Sequence, residues 1–136
     1  MSIHSIPGKL EVEWRDDVKA VVDKWTSYNV TPDEFREAVG GKGIGFAKDK
    51  GVKAWIVDSS EAKGAFSQTI QEIIDKEIFP EFAKIGVKYF VTIPSDKSAV
   101  TKMSISSYAA KTGPHGLQLV EVKSLDDAVE WLKQNA

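Results

Sequence analysis

The chain reads as an α/β protein built on a mixed β-sheet, and three observations lead there. The stretch Val52 to Ser67 (VKAWIVDSSEAKGAFS) opens with the apolar run Ala54, Trp55, Ile56 and Val57 and breaks at Asp58-Ser59-Ser60. A run of that length between turn signals fits a strand buried on both faces. Residues 9–26 predict an N-terminal β-hairpin, and helical and strand patterns then alternate to the end of the chain. The expected order is β-β-α-β-α-β-α-β-α, with helices packed on the sheet and right-handed crossovers setting parallel strands side by side.

The elements follow in turn. Lys9 to Arg15 alternates, with Leu10, Val12 and Trp14 on one face and Glu11, Glu13 and Arg15 on the other. That is the period of a half-exposed strand. Asp16-Asp17 makes the turn and Val18 to Thr26 the partner strand. His4 reads as part of a loose terminus. Thr31-Pro32-Asp33-Glu34 combines a capping residue, a proline at the first helical position and a closing glutamate. This is a helix start. Phe35, Ala38, Val39, Gly43, Phe46 and Ala47 then share a face at three-to-four spacing up to Gly51. Gly40, Gly41, Gly43 and Gly45 lie within it, and each costs up to about 1 kcal/mol against Ala, so a thin or broken helix is expected there.

Beyond the central strand, Ser67 caps a second helix with the stripe Ile70, Ile73, Ile74, Ile78, Phe82 and Ile85. Pro80 is expected to kink or split it near Glu77, and Gly86 to end it. Val87 to Ile93 is the next strand, Ser98 to Lys111 a weak helix and Thr112 to Gly116 a turn. Leu117 to Val122 is the last strand, and a final helix starts at Ser124. No linker, repeat or low-complexity tract divides the 136 residues, which form one domain.

Composition narrows the function. Acidic and basic residues interleave at a net charge of −2. Nucleic acid, which would require a basic stripe, is therefore not an expected partner. With no cysteine, thiol catalysis, disulfides and thiolate metal sites are excluded. The start of the chain lacks the charged end and apolar core of a signal peptide, and no apolar run approaches the length of a bilayer span. A cytoplasmic protein is expected.

Little in the chain points to catalysis. His4 and His115 have no ligand or triad partners at suitable spacing. The run Gly40 to Gly45 lies late in a helix, where a phosphate loop would follow a strand and begin a helix. Trp14, Trp25, Trp55, Phe66, Phe79 and Tyr89 exceed the needs of a minimal core. Phe79 lies off the main stripe of its helix, and Phe66 precedes that helix. They make either a second small core under the 59–67 loop or an apolar surface for a ligand, a membrane or a second subunit.

The element order, with IVDSS ending the central strand, resembles the STAS domains of anti-sigma-factor antagonists, above all their bacterial SpoIIAA-like branch. That branch is similar to the lipid-carrying CRAL-TRIO domains. The shared features are Trp25 on the second strand, the TPDEF helix start, WIVD, the helix containing FPEF, the strand GVKYFVTIP and the closing SLDDAVEWL. The resemblance implies a non-enzymatic binding or interaction module without a cofactor. Its expected partners are a small apolar molecule, a membrane surface or another protein, a homodimer included.

The expected ligand-binding residues are Asp58, Ser60, Phe66, Phe79, Phe82 and Trp55. Asp58 and Ser60 also match the phosphorylated pattern of regulatory STAS proteins. Here, however, Glu61-Ala62-Lys63 replaces the Gly-Leu-Gly that leads into their helix. Phosphate gains from a helix N-terminus and suffers beside an acid, so a phospho-switch at Ser60 is expected to be absent or weak. The remaining alternative is an enzyme acting on a small polar substrate through Asp58, Ser60 and His115.

Overall fold

A computed structural model describes residues 2–28, 30–62, 67–93, 118–122 and 124–135. Phe66, the 98–111 helix, the 112–116 turn and His115 lie outside the described residues. Among those described, the strands form one six-stranded mixed sheet in which spatial order equals chain order. They are β1 (Ser2–Ile6), β2 (Leu10–Arg15), β3 (Ala20–Trp25), β4 (Ala54–Asp58), β5 (Tyr89–Ile93) and β6 (Gln118–Glu121). The first three pair antiparallel and the rest parallel.

Residues 2–6 are an edge strand, where a loose terminus was expected. His4 pairs with Val12 and Ile6 with Leu10, with a bulge between Ser2 and His4. Ile3 and Ile6 pack against the core, so pairing and burial together hold a segment of weak intrinsic pattern. The hairpin register runs from Leu10↔Trp25 to Arg15↔Ala20. Val18 and Lys19 therefore belong to the turn, and Lys19 takes a left-handed φ of 52°.

Between β3 and β4 the chain runs through α1 (Pro32–Phe35), a π-helical segment (Arg36–Gly43) and α2 (Ile44–Lys48). The capping box forms as expected. Glu34 N–H donates to Thr31 Oγ1 at 3.1 Å, and Thr31 N–H donates to Glu34 Oε1 at 2.9 Å. The glycines do not break the run; it widens into the π form and continues. Ala38, Val39, Gly43, Ile44 and Ala47 are all buried, and tertiary burial of a face outweighs the poor propensity of its glycines.

The second crossover is α3 (Gln68–Ile73), a π-helical segment (Ile74–Ile78) and α4 (Phe79–Ile85). Ser67 Oγ accepts from Ile70 N–H at 3.2 Å, and Gly86 closes α4 at φ 97°. The disturbance expected from Pro80 takes the form of the wide turn just ahead of it. Proline lacks the N–H that would bond the fourth residue back and its ring crowds that carbonyl, which a wider turn relieves. The i→i+5 spacing also sets Phe79 in line with Ile74. Phe79 is therefore in the core at 0 % exposure, where a position off the apolar stripe was expected.

The sheet carries two cores. Val21, Trp25, Trp55, Val57 and Phe90 face the two crossover runs. Ala20, Val22, Ala54, Ile56, Val91 and Ile93 face the other way, toward α5 (Leu125–Asn135) and its Ala128, Val129 and Leu132. β3, β4 and β5 step across the sheet in one direction. Crossovers of one hand then fall on one face, which puts both helical runs over the same side. No helix among the described residues is long and apolar enough to cross a membrane.

Candidate functional site

Between the sheet and the two helical runs lies a cavity of about 50 Å³. Asp23, Trp55, Phe90 and Thr92 form its sheet side, one strand contributing after another. Phe35 and Val39 enter from the first run, and Ile74, Ile78, Phe79 and Phe82 from the second. The rings interlock: Trp55 stacks on Phe82 at 4.5 Å between centroids, and Phe79 meets Phe90 edge-on at 5.2 Å. Both π-helical segments contribute wall residues. They also meet outside the cavity through Arg36 and Glu77, whose Nη2–Oε2 distance is 2.9 Å, each half-exposed.

Trp55, Phe79 and Phe82 thus come together as one site. They are buried, so these three make no exposed patch, whereas Tyr89 is only partly buried, edge-on against Trp131 on the other side of the sheet. Asp58 and Ser60 are elsewhere. They line an open cleft of about 470 Å³ with the β1–β2 turn and Lys24. Trp25 belongs to the wall of both hollows.

At the strand end, Ser60 donates to Asp58 Oδ1 twice, from its N–H at 3.0 Å and from its hydroxyl at 2.7 Å. This is a local turn lock. Ala62 N–H bonds Ser59 O, so that donor also stays within the loop. A phosphate on Ser60 would face the Asp58 carboxylate, and the next described helix begins only at Gln68. Ser59, not Ser60, is the buried serine; its hydroxyl shares a hydrogen bond with Tyr28, and its N–H bonds Ile93 O.

Asp23 is the residue the sequence reading passed over. It is 2 % exposed in the apolar wall. Trp55 Nε1–H donates to its Oδ2 at 2.7 Å, and Oδ1 has no hydrogen-bond partner among the described residues. Burial pushes its carboxyl up to about 7 against the opposing pull of the Trp55 hydrogen bond. Its signal was its parity: in AVVDKW the acid shares a face with Val21 and Trp25, the side that packs under helices.

Gly43 sets the position of Trp55. A Cβ there would stand 3.0 Å from Trp55 Cη2 and 3.2 Å from Ala38 O, whereas one at Gly45 would meet nothing within 4 Å. Gly43→Ala is therefore expected to destabilise by about 1–3 kcal/mol through overpacking. Gly45→Ala is expected to stabilise by up to about 1 kcal/mol through helix propensity. Urea midpoints of the two variants, moving in opposite directions, check the pair.

The chain matches no family model, no curated protein and no solved structure. Among the described residues no group of three or more His, Asp or Glu side chains is placed to hold a metal ion.

Proposed function

We propose that the chain is a non-enzymatic binding module of the STAS, SpoIIAA-like kind, taking a small apolar molecule or the acyl region of a membrane between its sheet and its two helical runs. The observation that carries this reading is the aromatic- and isoleucine-walled cavity over the sheet. Protein interiors are close-packed and hold few voids larger than a water. Apolar hollows with a few polar groups are the usual form of small-molecule sites.

At about 50 Å³ the closed cavity has room for only a few waters. A ligand with an acyl chain therefore requires the helical runs to part. Two features favour that motion. Each run has a π-wound segment that borders the cavity, a winding frequent at functional sites. The ion pair between them, Arg36–Glu77, is half-exposed, and surface pairs contribute at most about 1 kcal/mol, so what holds the runs together is chiefly apolar packing that a ligand's own apolar contacts can replace. A ligand that binds the parted form preferentially would populate it.

Amide exchange and tryptophan fluorescence test the reading, with dodecanol, dodecanoic acid and phosphatidylglycerol vesicles as probes. The expected result is altered protection over 32–48 and 68–85, with a spectral shift from Trp25 and Trp55. No response to any of the three would leave protein interaction as the function.

A further inference from the structure

Asp23 is difficult to explain as a core residue. A carboxylate buried in an apolar wall, with one oxygen unbonded, carries a desolvation cost of several kcal/mol. Trp55 needs only one acceptor, and a neutral amide or a hydroxyl could supply it. The second oxygen, Oδ1, is buried with no hydrogen-bond partner among the described residues, on a residue that lines the cavity. The rest of the lining is almost wholly hydrocarbon, with Trp55, Phe79, Phe82 and Phe90 among its aromatic side chains, and Thr92 and Gln71 as its other polar residues. The Thr92 hydroxyl is turned to the main chain of β6, 3.4 Å from Val120 O.

We propose that Asp23 Oδ1 is the polar anchor of the cavity, accepting a hydrogen bond from the terminal hydroxyl of an uncharged aliphatic alcohol whose chain lies among the aromatic rings. This assignment rests on the apolar-ligand reading above and narrows it to a chemical class. A carboxylate head offers no donor and repels an ionised Asp23. An ether of equal length offers an apolar body with nothing for Oδ1. The site therefore selects a neutral donor. Burial holds the carboxyl near 7, so at pH 8 it is mostly the charged and stronger acceptor.

The test compares dodecanol with its chain-matched methyl ether, 1-methoxyundecane, at pH 8. Binding is followed by tryptophan fluorescence, to which Trp25 and Trp55 in the cavity wall contribute, in the wild-type protein, Asp23→Leu and Asp23→Asn. A hydrogen bond to a charged group is worth about 1.5–3 kcal/mol, so the alcohol is expected to bind the wild type about 10- to 100-fold more tightly than the ether. In Asp23→Leu the two affinities should converge at the ether's value, because the apolar contacts persist.

Equal affinities in the wild type would overturn the anchor and leave the apolar-ligand reading standing, and this comparison needs no variant to fold. A preference for the alcohol that survives in Asp23→Leu would overturn the assignment to Asp23. Should that variant not fold, Asp23→Asn decides: its neutral side chain should reduce the alcohol's advantage at least several-fold, and an unchanged advantage would count against the carboxylate. No binding of either probe would overturn both readings together.

Discussion

Replacing Ile56 by Ala is expected to lower the unfolding free energy by about 2–5 kcal/mol. Ile56 is fully buried on β4, with β3 on one side and β5 on the other. Its side chain belongs to the core under α5, on the face opposite the cavity. Truncation there removes hydrocarbon contacts and leaves a void between the sheet and α5. Because Trp55 and Val57 point to the other face, Ile56→Ala should leave probe binding in the cavity intact. Denaturant titration checks the stability. A loss under 1 kcal/mol would mean that Ile56 is not packed as described, and a parallel loss of probe binding would mean that the two cores are not independent.

How much of this fold a reader can extract from the residues depends on how local the cause is. The capping box at Thr31 and Glu34, the Ser67 cap and the left-handed Gly86 lie within a few residues of their effects, and all are readable. The double burial of β4 is readable for a similar reason, since a strand covered on both faces is apolar at every position. β1 is not. Ser2–Ile6 lacks clean alternation, and its strand character comes from pairing with β2. Phe79 fails differently. A fixed 3.6-residue period places it off the stripe, while the π turn at Ile74–Ile78 changes that period and turns the ring inward.

The site was only half legible. Trp55, Phe79 and Phe82 stand out as bulky residues on neighbouring elements. Their separation from Asp58 and Ser60 depends on which sheet face each occupies at the strand's end, and on a loop that folds back on itself. Asp23 was hidden because its significance is a matter of register. The bond from Trp55 joins residues 32 apart in sequence on adjacent strands, and Asp23 is aligned with Val57 rather than with Trp55. An acid near a strand end ordinarily reads as a solvated position. Here its parity, shared with Val21 and Trp25, buries it.

That burial has a consequence for stability, and the effect should be large. The Asp23 carboxyl is held at about 7, against an ordinary value of 3.8. Desolvation is the dominant cause, and the Trp55 hydrogen bond opposes it. Between those two values the folded protein keeps a proton that the unfolded chain has released. Stability is therefore greatest below about pH 4 as far as this group is concerned; it falls as pH rises to about 7 and then levels off. At 1.36 kcal/mol per unit, the full difference is on the order of 4 kcal/mol.

Asp16, Asp17 and Glu34 have carboxyls held below their ordinary values by hydrogen bonds from Lys19, Arg15 and the Thr31 backbone. Their contributions have the opposite sign and are lost only as pH falls through the acid range, so from pH 5 to 8 they are constant. The ionisable groups that Asp23 faces do not complicate this window. Tyr28, raised mainly by burial and further by Asp58 and Asp23, stays protonated across it, and the other described residues lining the cavity carry no titratable group.

Urea unfolding followed by tryptophan fluorescence should thus give a midpoint that falls between pH 5 and pH 8 in the wild type. Asp23→Asn, neutral throughout and still able to accept from Trp55 Nε1–H, should show a flat midpoint and exceed the wild type at pH 8. An equal slope in both proteins would mean that Asp23 is not the titrating group, and with it would fall the view of the cavity wall as a place where a charge is held out of water.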